Sequence, residues 1–433
     1  MLKSRLITAL GAAFAIVSAF TARAEVTALT GATVHTAGSA GVIENATVLI
    51  EDGRIRAVGA NVAVPVGAIT VDAAGKVITP GLIDSYSRLG LVEISAAHQS
   101  VDYRLKDYEV GPAFSVFYGV NPDSTVIPVS RIEGITRSVV APAASVDMYA
   151  GQGASIHLGN GENLVINPSV AVFASLGGSR HTGGSRAAAL ARLKQSLEEA
   201  RHYDAHRKAY ERGEHREYLY GRADLEALVP VVKGKKPLAV VVNRSSDILH
   251  VLAIAREMSV KLVLIGATEG WRVAPRIAAA GVPVILSPTQ NLPESFDGLA
   301  ATLENAAKLH AAGVTIAIGS EAGGFSGGGT HNARAITQLA GVAVAYGLPW
   351  DAALKALTVN GAKIWGLDRG YGTIETGKDA DIVVWTGDPL ELDSRPVHVF
   401  IRGELIELTS RQTRLRDRYM NLRKAQPPFA YRR

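Results

Sequence analysis

The sequence of 433 residues predicts a (β/α)8 barrel and a small β-sandwich domain built from the segments that flank the barrel. Between residues 81 and 366, short apolar runs alternate with helical stretches, which is typical of a parallel sheet with helical crossovers. Before and after this region, the chain consists of short β segments separated by Gly and Asp turns. This order predicts that the two flanking segments pair into one small antiparallel sheet.

The first 24 residues have the three parts of a secretory signal peptide. Lys3 and Arg5 give a basic start, residues 6–20 form an uncharged and mostly apolar run, and Ala22-Arg23-Ala24 supplies small residues. Because the run is shorter than the ~20 residues that cross a bilayer, cleavage after Ala24 is favoured over an uncleaved anchor. We therefore expect a periplasmic or secreted protein with no stable membrane insertion after cleavage.

The small domain is expected to comprise residues 25–80 and 367–410. Its predicted strands cover residues 32–35, 46–50, 55–58, 69–71, 77–83, 380–385 and 397–401. Asp52-Gly53 lies between the second and third strands, and this pair favours a two-residue hairpin turn. The chain contains no cysteine, which excludes disulfides, a Cys nucleophile and thiolate metal sites.

The barrel is expected to comprise residues 81–366 and eight strands. The first strand is the end of 77–83, and the others are predicted at 138–141, 154–158, 170–174, 238–242, 262–265, 282–286 and 315–318. Helices are predicted at 186–201, after Ser246-Asp247, and at 273–280, 299–312, 333–345 and 350–360. In the first helix Leu190, Leu193 and Leu197 recur at helical spacing.

Three blocks of the chain resemble the amidohydrolase superfamily, in its imidazolonepropionase-like or dipeptidase-like branch. The blocks are VITPGLID at 77–84, GVTIAIGS at 313–320 and GTIETGKDADIVV at 372–384. The resemblance implies hydrolysis of carbon–nitrogen bonds other than ordinary peptide bonds, as in cyclic amides or dipeptide-like molecules. It also implies Zn or another divalent metal at the barrel mouth.

The residues that this superfamily uses as metal ligands are replaced here. The resemblance implies two His on the first strand, where this chain has Tyr86 and Arg88. It further implies a Lys on the fourth strand, His on the fifth and sixth, and Asp on the eighth. The chain has no Lys in 167–180, and it has Asn243, Gly266 and Glu321 at the other positions. Because a guanidinium has no lone pair to offer a metal, we expect no metal cofactor at this place.

A metal site assembled from other residues is left open by the sequence. His202 and His206 are four residues apart on a predicted helix, which is compatible with metal binding. The surrounding segment is dense in charged residues, and this composition favours a solvated helix face.

Seven residues are expected around the barrel mouth, because active sites of such barrels lie at the carboxyl ends of the strands. The predicted catalytic residues are Glu321, Arg88 and Tyr86, and the predicted substrate-binding residues are Asp84, Asn243, Glu269 and His331. We predict an ion pair between Arg88 and Glu321. In one interpretation Glu321 activates water while Arg88 or Tyr86 polarises a carbonyl. In the other, the ion pair plugs an inactive barrel, and His331 is a surface-loop residue.

The sequence therefore predicts a secreted amidohydrolase-like protein that acts on a carbon–nitrogen bond of a small molecule. The alternative is a catalytically inactive homologue that serves as a periplasmic binding or assembly protein. A small-molecule ligand is expected and nucleic acid is not. The identity of the substrate and the oligomeric state, including a homo-oligomer, are left open.

The C-terminal tail, residues 411–433, carries eight Lys or Arg residues and one Asp. Leu415, Tyr419 and Leu422 recur at helical spacing, and Pro427-Pro428 would end the helix. A short amphipathic helix packed on the domain is favoured over a membrane contact. Residues 25–410 carry 34 Lys and Arg against 39 Asp and Glu, so the positive net charge of the whole chain belongs to its two ends.

Overall fold

The computed structural model of the chain describes residues 25–106, 110–177, 184–214, 217–323 and 330–420. Within these ranges it contains two eight-stranded sheets, one in the small domain and one in the barrel. The predicted signal peptide and the end of the tail lie outside the described residues. None of the described helices is both long and apolar enough to cross a membrane.

The strands are numbered in chain order. They are β1 (Thr27–His35), β2 (Val42–Glu51), β3 (Arg54–Gly59), β4 (Ile69–Asp72), β5 (Val77–Pro80), β6 (Leu82–Ser87), β7 (Ile135–Val140), β8 (Tyr149–His157), β9 (Val165–Ser175), β10 (Leu238–Val242), β11 (Leu262–Gly266), β12 (Val284–Leu286), β13 (Ile316–Ile318), β14 (Ile382–Trp385), β15 (Pro396–Ile401) and β16 (Glu404–Leu405).

The α-helices are numbered in the same way. They are α1 (Val126–Arg131), α2 (Arg186–Ala205), α3 (Arg207–Glu211), α4 (Arg222–Val232), α5 (Ser245–Glu257), α6 (Ala274–Ala279), α7 (Asn305–Ala311), α8 (Ile336–Ala345), α9 (Trp350–Leu357), α10 (Val359–Ile364) and α11 (Arg411–Met420).

Both flanking segments contribute to the sheet of the small domain, in the order β16-β15-β14-β5-β1-β2-β3, and β4 also pairs with β1. The pairings of β1 with β4 and β5 are parallel, so the sheet is mixed and the expectation of an antiparallel sheet is wrong. The predicted hairpin between β2 and β3 is confirmed. Asp52 and Gly53 have φ angles of 51° and 77°, as a two-residue hairpin turn requires.

The strand predicted over 77–83 is divided between the two sheets at Gly81. The backbone N–H of Gly81 donates to the carbonyl of Asp381 at 2.8 Å, while β6 continues into the barrel. A Cβ atom at this position would lie 2.2 Å from Thr136 Oγ1, so the crossing from one sheet to the other requires glycine.

All eight predicted barrel strands are present and are ordered from β6 to β13 along the sheet. Strand β8 is antiparallel to both neighbours, unlike the other strands. The connections on either side of β8 span residues 141–148 and 158–164. They are shorter than the dozen or more residues that a parallel crossover needs, so this part of the chain can form only a meander.

The predicted helices are present with different bounds. Helix α2 begins where expected, because the Ser185 hydroxyl accepts from the N–H of Ala188, and it runs further than expected. The helix predicted over 299–312 is reduced to α7, and the helix predicted over 350–360 is interrupted at Thr358, between α9 and α10.

A buried ion-pair network joins the barrel to the small domain. Arg137 on β7 donates from Nε to Asp381 Oδ2 at 2.9 Å and from Nη2 to Asp379 Oδ2 at 2.6 Å. The ring of Tyr371 lies 4.7 Å from the guanidinium carbon. Arg137 and Asp381 are both shielded from water, so each charge depends on the other for compensation.

Replacing Asp381 by Asn should therefore lower the free energy of unfolding by about 3–5 kcal/mol, because the guanidinium loses its buried counter-ion. Denaturant unfolding followed by circular dichroism measures this difference. Asp379→Asn is the matched control, and its effect should be smaller because the Asp379 side chain is 24% exposed. Equal losses in the two variants would contradict the special role of Asp381.

Candidate functional site

A cavity of about 210 Å³ lies at the carboxyl ends of the barrel strands. Every strand that runs parallel to β6 contributes to its lining, either from its last residues or from the loop that follows. The hydrogen-bonding or charged side chains of this lining are Tyr86, Arg88, Ser175, Asn243, Thr268, Gln290, Glu294, Ser295 and Glu321.

The first and last barrel strands meet beside this cavity. The N–H of Glu321 donates to the carbonyl of Tyr86 at 3.1 Å. The N–H of Ser320 donates to Asp84 Oδ1 at 2.9 Å, and the hydroxyl of Ser320 donates to Asp84 Oδ2. This seam fixes the position of Glu321 relative to the strand that carries Tyr86 and Arg88.

The predicted ion pair between Arg88 and Glu321 is confirmed. Arg88 Nη1 donates to Glu321 Oε2 at 3.2 Å, and the two side chains are 21% and 6% exposed. The second carboxylate oxygen, Oε1, accepts from the hydroxyl of Thr330 at 3.0 Å. The ring of Tyr103 lies 4.3 Å from the guanidinium carbon, so Arg88 is held between an anion and an aromatic face.

Tyr86 is buried beside this pair and also lines the cavity. Burial raises the pKa of its phenol, although the positive charge of Arg88 opposes the shift and the negative charge of Glu321 adds to it. The phenol therefore keeps its proton at neutral pH and can act as a hydrogen-bond donor.

Asn243 occupies the space at the end of β11. Its Oδ1 accepts from the hydroxyl of Thr268 at 3.0 Å. Gly266, with φ of 82°, lies against this amide, and a Cβ atom there would be 2.4 Å from Asn243 Oδ1. A larger side chain at position 266 would therefore require Asn243 to move.

Three of the predicted site residues do not line the cavity. Asp84 is fully buried in the seam. Glu269 accepts from the N–H groups of Ser245 at 3.0 Å and Ala300 at 3.1 Å, so it joins the start of α5 to the loop that contains Ala300. His331 is exposed. The structure thus brings together Tyr86, Arg88, Asn243 and Glu321 and leaves these three apart.

Sequence reasoning missed Ser175, Gln290 and Tyr103. Ser175 could have been predicted from the sequence, because it directly follows the strand predicted over 170–174 and so lies at the carboxyl end of that strand. Gln290 and Tyr103 lie in long loops after β12 and β6, and no sequence pattern indicates the path of these loops.

Comparison with known proteins agrees with this architecture. Residues 191–406 match the family model described as the amidohydrolase family. A solved amidohydrolase from Thermotoga maritima MSB8 is 27% identical and superimposes with a TM-score of 0.78, covering 88% of this chain and 99% of that one. The chain belongs to the amidohydrolase superfamily.

Two further relatives of the superfamily match over part of their length. Amidohydrolase tasK of Hapsidospora irregularis is 23% identical over 391 residues, which are 82% of this chain and 39% of that protein. Imidazolonepropionase of Vibrio cholerae serotype O1 is 29% identical over 124 residues, which are 27% of this chain and 30% of that protein. The matched segments thus span less than half of either relative.

Two observations on the described residues bear on whether a divalent metal could bind at the mouth. No group of three or more His, Asp or Glu side chains in the described ranges is arranged to hold a metal ion. Both oxygens of Glu321 accept hydrogen bonds, one of them from the Arg88 cation. A divalent ion bound there would be repelled by the guanidinium and would have to displace it.

The arrangement of His202 and His206 agrees with the predicted solvated helix face. Their rings stack with centroids 4.2 Å apart. His206 Nδ1 lies 2.9 Å from the carbonyl of His202, and His202 Nδ1 lies 2.8 Å from the hydroxyl of Tyr218. One ring nitrogen of each histidine is therefore engaged within the chain.

Asp84 should make the stability of the protein depend on pH. Burial raises the pKa of its carboxyl from 3.8 to about 7, although hydrogen bonds from Ser320 and Tyr86 oppose the shift. Between these pH values the folded protein holds a proton that the unfolded chain has released. The stability that this proton contributes is fully present below pH 3.8 and is lost as the pH rises through about 7.

The variant Asp84→Asn carries a neutral group of the same shape and should lack this loss. The free energy of unfolding of the wild type should fall relative to the variant by roughly 1.4 kcal/mol per pH unit within that window. Denaturant unfolding at a series of pH values measures the difference. The exposed Asp351→Asn is the control, and parallel pH profiles for wild type and Asp84→Asn would contradict the shift.

Proposed function

We propose that the chain hydrolyses a carbon–nitrogen bond of a small amide-type molecule at the barrel mouth, and that it does so without a divalent metal. The observation that carries this proposal is the Arg88–Glu321 pair, a carboxylate base and a fixed cation 3.2 Å apart in the cavity lining. Membership of the amidohydrolase superfamily supports the choice of bond.

In the proposed reaction Glu321 takes a proton from a water molecule as the water oxygen attacks the substrate carbonyl. The remaining guanidinium N–H groups of Arg88 and the phenol of Tyr86 donate to the carbonyl oxygen, where negative charge develops. Glu321 then returns the proton to the leaving nitrogen as the carbon–nitrogen bond breaks. The ion pair and the Tyr103 ring fix the orientation of Arg88 before the substrate binds.

The dimensions of the cavity support a small substrate. Its volume of about 210 Å³ lies below the roughly 300–1,000 Å³ of pockets for drug-sized ligands. Ser175, Asn243 and Thr268 add neutral hydrogen-bonding groups to its lining. A compact polar molecule is therefore a better match than an extended peptide.

A second candidate function is a binding or assembly protein that does not turn its ligand over. It is favoured by the engagement of both Glu321 oxygens, one by Arg88 and one by Thr330. A carboxylate held in this way must release one donor before it can take a proton from water. In this candidate the same pair stabilises the barrel mouth and shapes the ligand cavity.

We further propose that the protein acts in the periplasm or outside the cell. This proposal depends on the sequence pattern of residues 1–24 alone. Expression of the full chain in a bacterium, followed by N-terminal sequencing of the exported protein, tests it. A mature protein that begins at Glu25 is the expected result, and full-length protein retained in the cytoplasm would contradict it.

Glu321→Gln should lower the rate of amide hydrolysis by about 10²–10⁴-fold, because the base is lost while the shape of the side chain is kept. The assay measures amine or ammonia release from dipeptides, N-acyl amino acids and cyclic amides at neutral pH. Glu257→Gln, an exposed substitution of the same kind on α5, should leave the rate unchanged. A chelator should not affect the wild-type rate.

Metal analysis of the purified protein separates the alternatives. One or two zinc ions per chain, with a rate that a chelator abolishes, would contradict metal-free hydrolysis. Absence of hydrolysis by the wild type, together with calorimetric binding of one of the same molecules, would favour the second candidate. Hydrolysis that Glu321→Gln leaves intact would remove Glu321 from the reaction.

A further inference from the structure

The C-terminal helix α11 is fixed at its start and contacts α1, but it is not buried along its length. Ser410 is buried, and its N–H donates to Thr413 Oγ1 at 2.8 Å, while its own hydroxyl accepts from the N–H of Thr413 at 3.2 Å. This reciprocal cap sets the point at which the helix begins. No residue of α11 is fully buried, so its contact with α1 is weaker than the packing that the sequence predicted.

Such a helix needs a further source of stability. It contains ten residues, and isolated helices shorter than about 12–15 residues are marginal in water. Its described contact with the body of the protein includes one hydrogen bond, from Arg334 Nη1 to Gln412 Oε1 at 3.3 Å. The side chains of α11 indicate which surface could supply that stability.

The positive charge of the helix is concentrated on one face. Arg411, Arg414 and Arg418 are spaced three and four residues apart, so they share a face. No carboxylate in the described ranges forms an ion pair with any of these three. Arg416, by contrast, is paired with Asp417 at 2.7 Å, so that pair contributes no net charge.

An exposed leucine lies within this basic face. Leu415 is four residues after Arg411 and three before Arg418, so it belongs to the same face, and it is 41% exposed. Met420, at the end of the described helix and on its opposite side, is 73% exposed. Basic residues combined with exposed apolar ones match a surface that is anionic at its boundary and apolar just beneath it.

We propose that α11 binds an anionic lipid surface and lies along it. By sequence, residues 421–433 add four Lys or Arg residues, no acidic residue, and the aromatic residues Phe429 and Tyr431. Residues 25–410 carry net negative charge, with 34 Lys and Arg against 39 Asp and Glu, and would be repelled by the same surface. The charge asymmetry therefore orients the molecule with its tail toward the lipid and its body away from it.

Vesicle co-sedimentation tests this proposal. The chain is expressed from Glu25 onward, because the apolar run of residues 6–20 would itself insert into lipid. Vesicles of phosphatidylcholine are compared with vesicles that also contain phosphatidylglycerol, at low and high salt. The chain should partition to the anionic vesicles only, and high salt should release it.

The triple variant Arg411→Gln, Arg414→Gln, Arg418→Gln should bind the anionic vesicles at least about tenfold more weakly. Each basic residue near such a surface raises the affinity for it by about fivefold. The matched control is Arg256→Gln, Lys261→Gln, Arg276→Gln, which removes the same charge from exposed positions on the barrel. The control should bind like the unsubstituted chain. Unchanged thermal unfolding of both variants excludes misfolding as the cause.

Three outcomes of the vesicle experiment would overturn the proposal. They are absence of partition, equal partition to neutral and anionic vesicles, and equal weakening in the tail and barrel variants. Tighter binding to a single-stranded DNA oligonucleotide than to the anionic vesicles would also overturn it, and would assign the helix to nucleic acid.

Discussion

The arrangement of the mouth depends on how the barrel closes between β13 and β6. Asp84, two residues before Tyr86 in β6, accepts both the N–H and the hydroxyl of Ser320. The next residue, Glu321, donates its N–H to the Tyr86 carbonyl. Because these bonds join adjacent backbone positions, they leave Glu321 little freedom relative to Arg88. The ion pair is therefore a consequence of closure, and its geometry is set before any ligand arrives.

Arg88 supplies a fixed positive charge at the mouth of the barrel. A metal ion would accept lone pairs from several ligands, whereas Arg88 offers N–H donors in one plane. The ring of Tyr103 supports that plane from one side. Asn243, set against Gly266, fills the space that a longer side chain on β11 would need. Arg88, Tyr103 and Asn243 are thus each held by a neighbouring group at the mouth.

The sequence was sufficient for the barrel and the small domain, because these follow from the alternation of strands and helices along the chain. The Arg88–Glu321 pair was predicted from the family resemblance, which places one cation and one anion at two positions of the barrel mouth. It was not sufficient for the antiparallel β8, since connection length, not apolar content, decides strand direction there. Glu269 and Asp84 were expected to contact the ligand, because active sites of such barrels lie at the carboxyl ends of the strands. Their hydrogen bonds to backbone N–H groups come from loop paths and strand register that no local pattern encodes.

The pairing of β14 with β5 places Ile382 opposite Pro80, although the entire barrel lies between them in the chain. The barrel is in effect an insertion within the small domain. Contacts of such long sequence separation form slowly, because the loop that they close is costly in entropy. During synthesis one edge of β5 therefore stays unpaired until β14 has been made, and the sheet of the small domain cannot be completed before then. A chain exported before folding would meet this delay only after translocation.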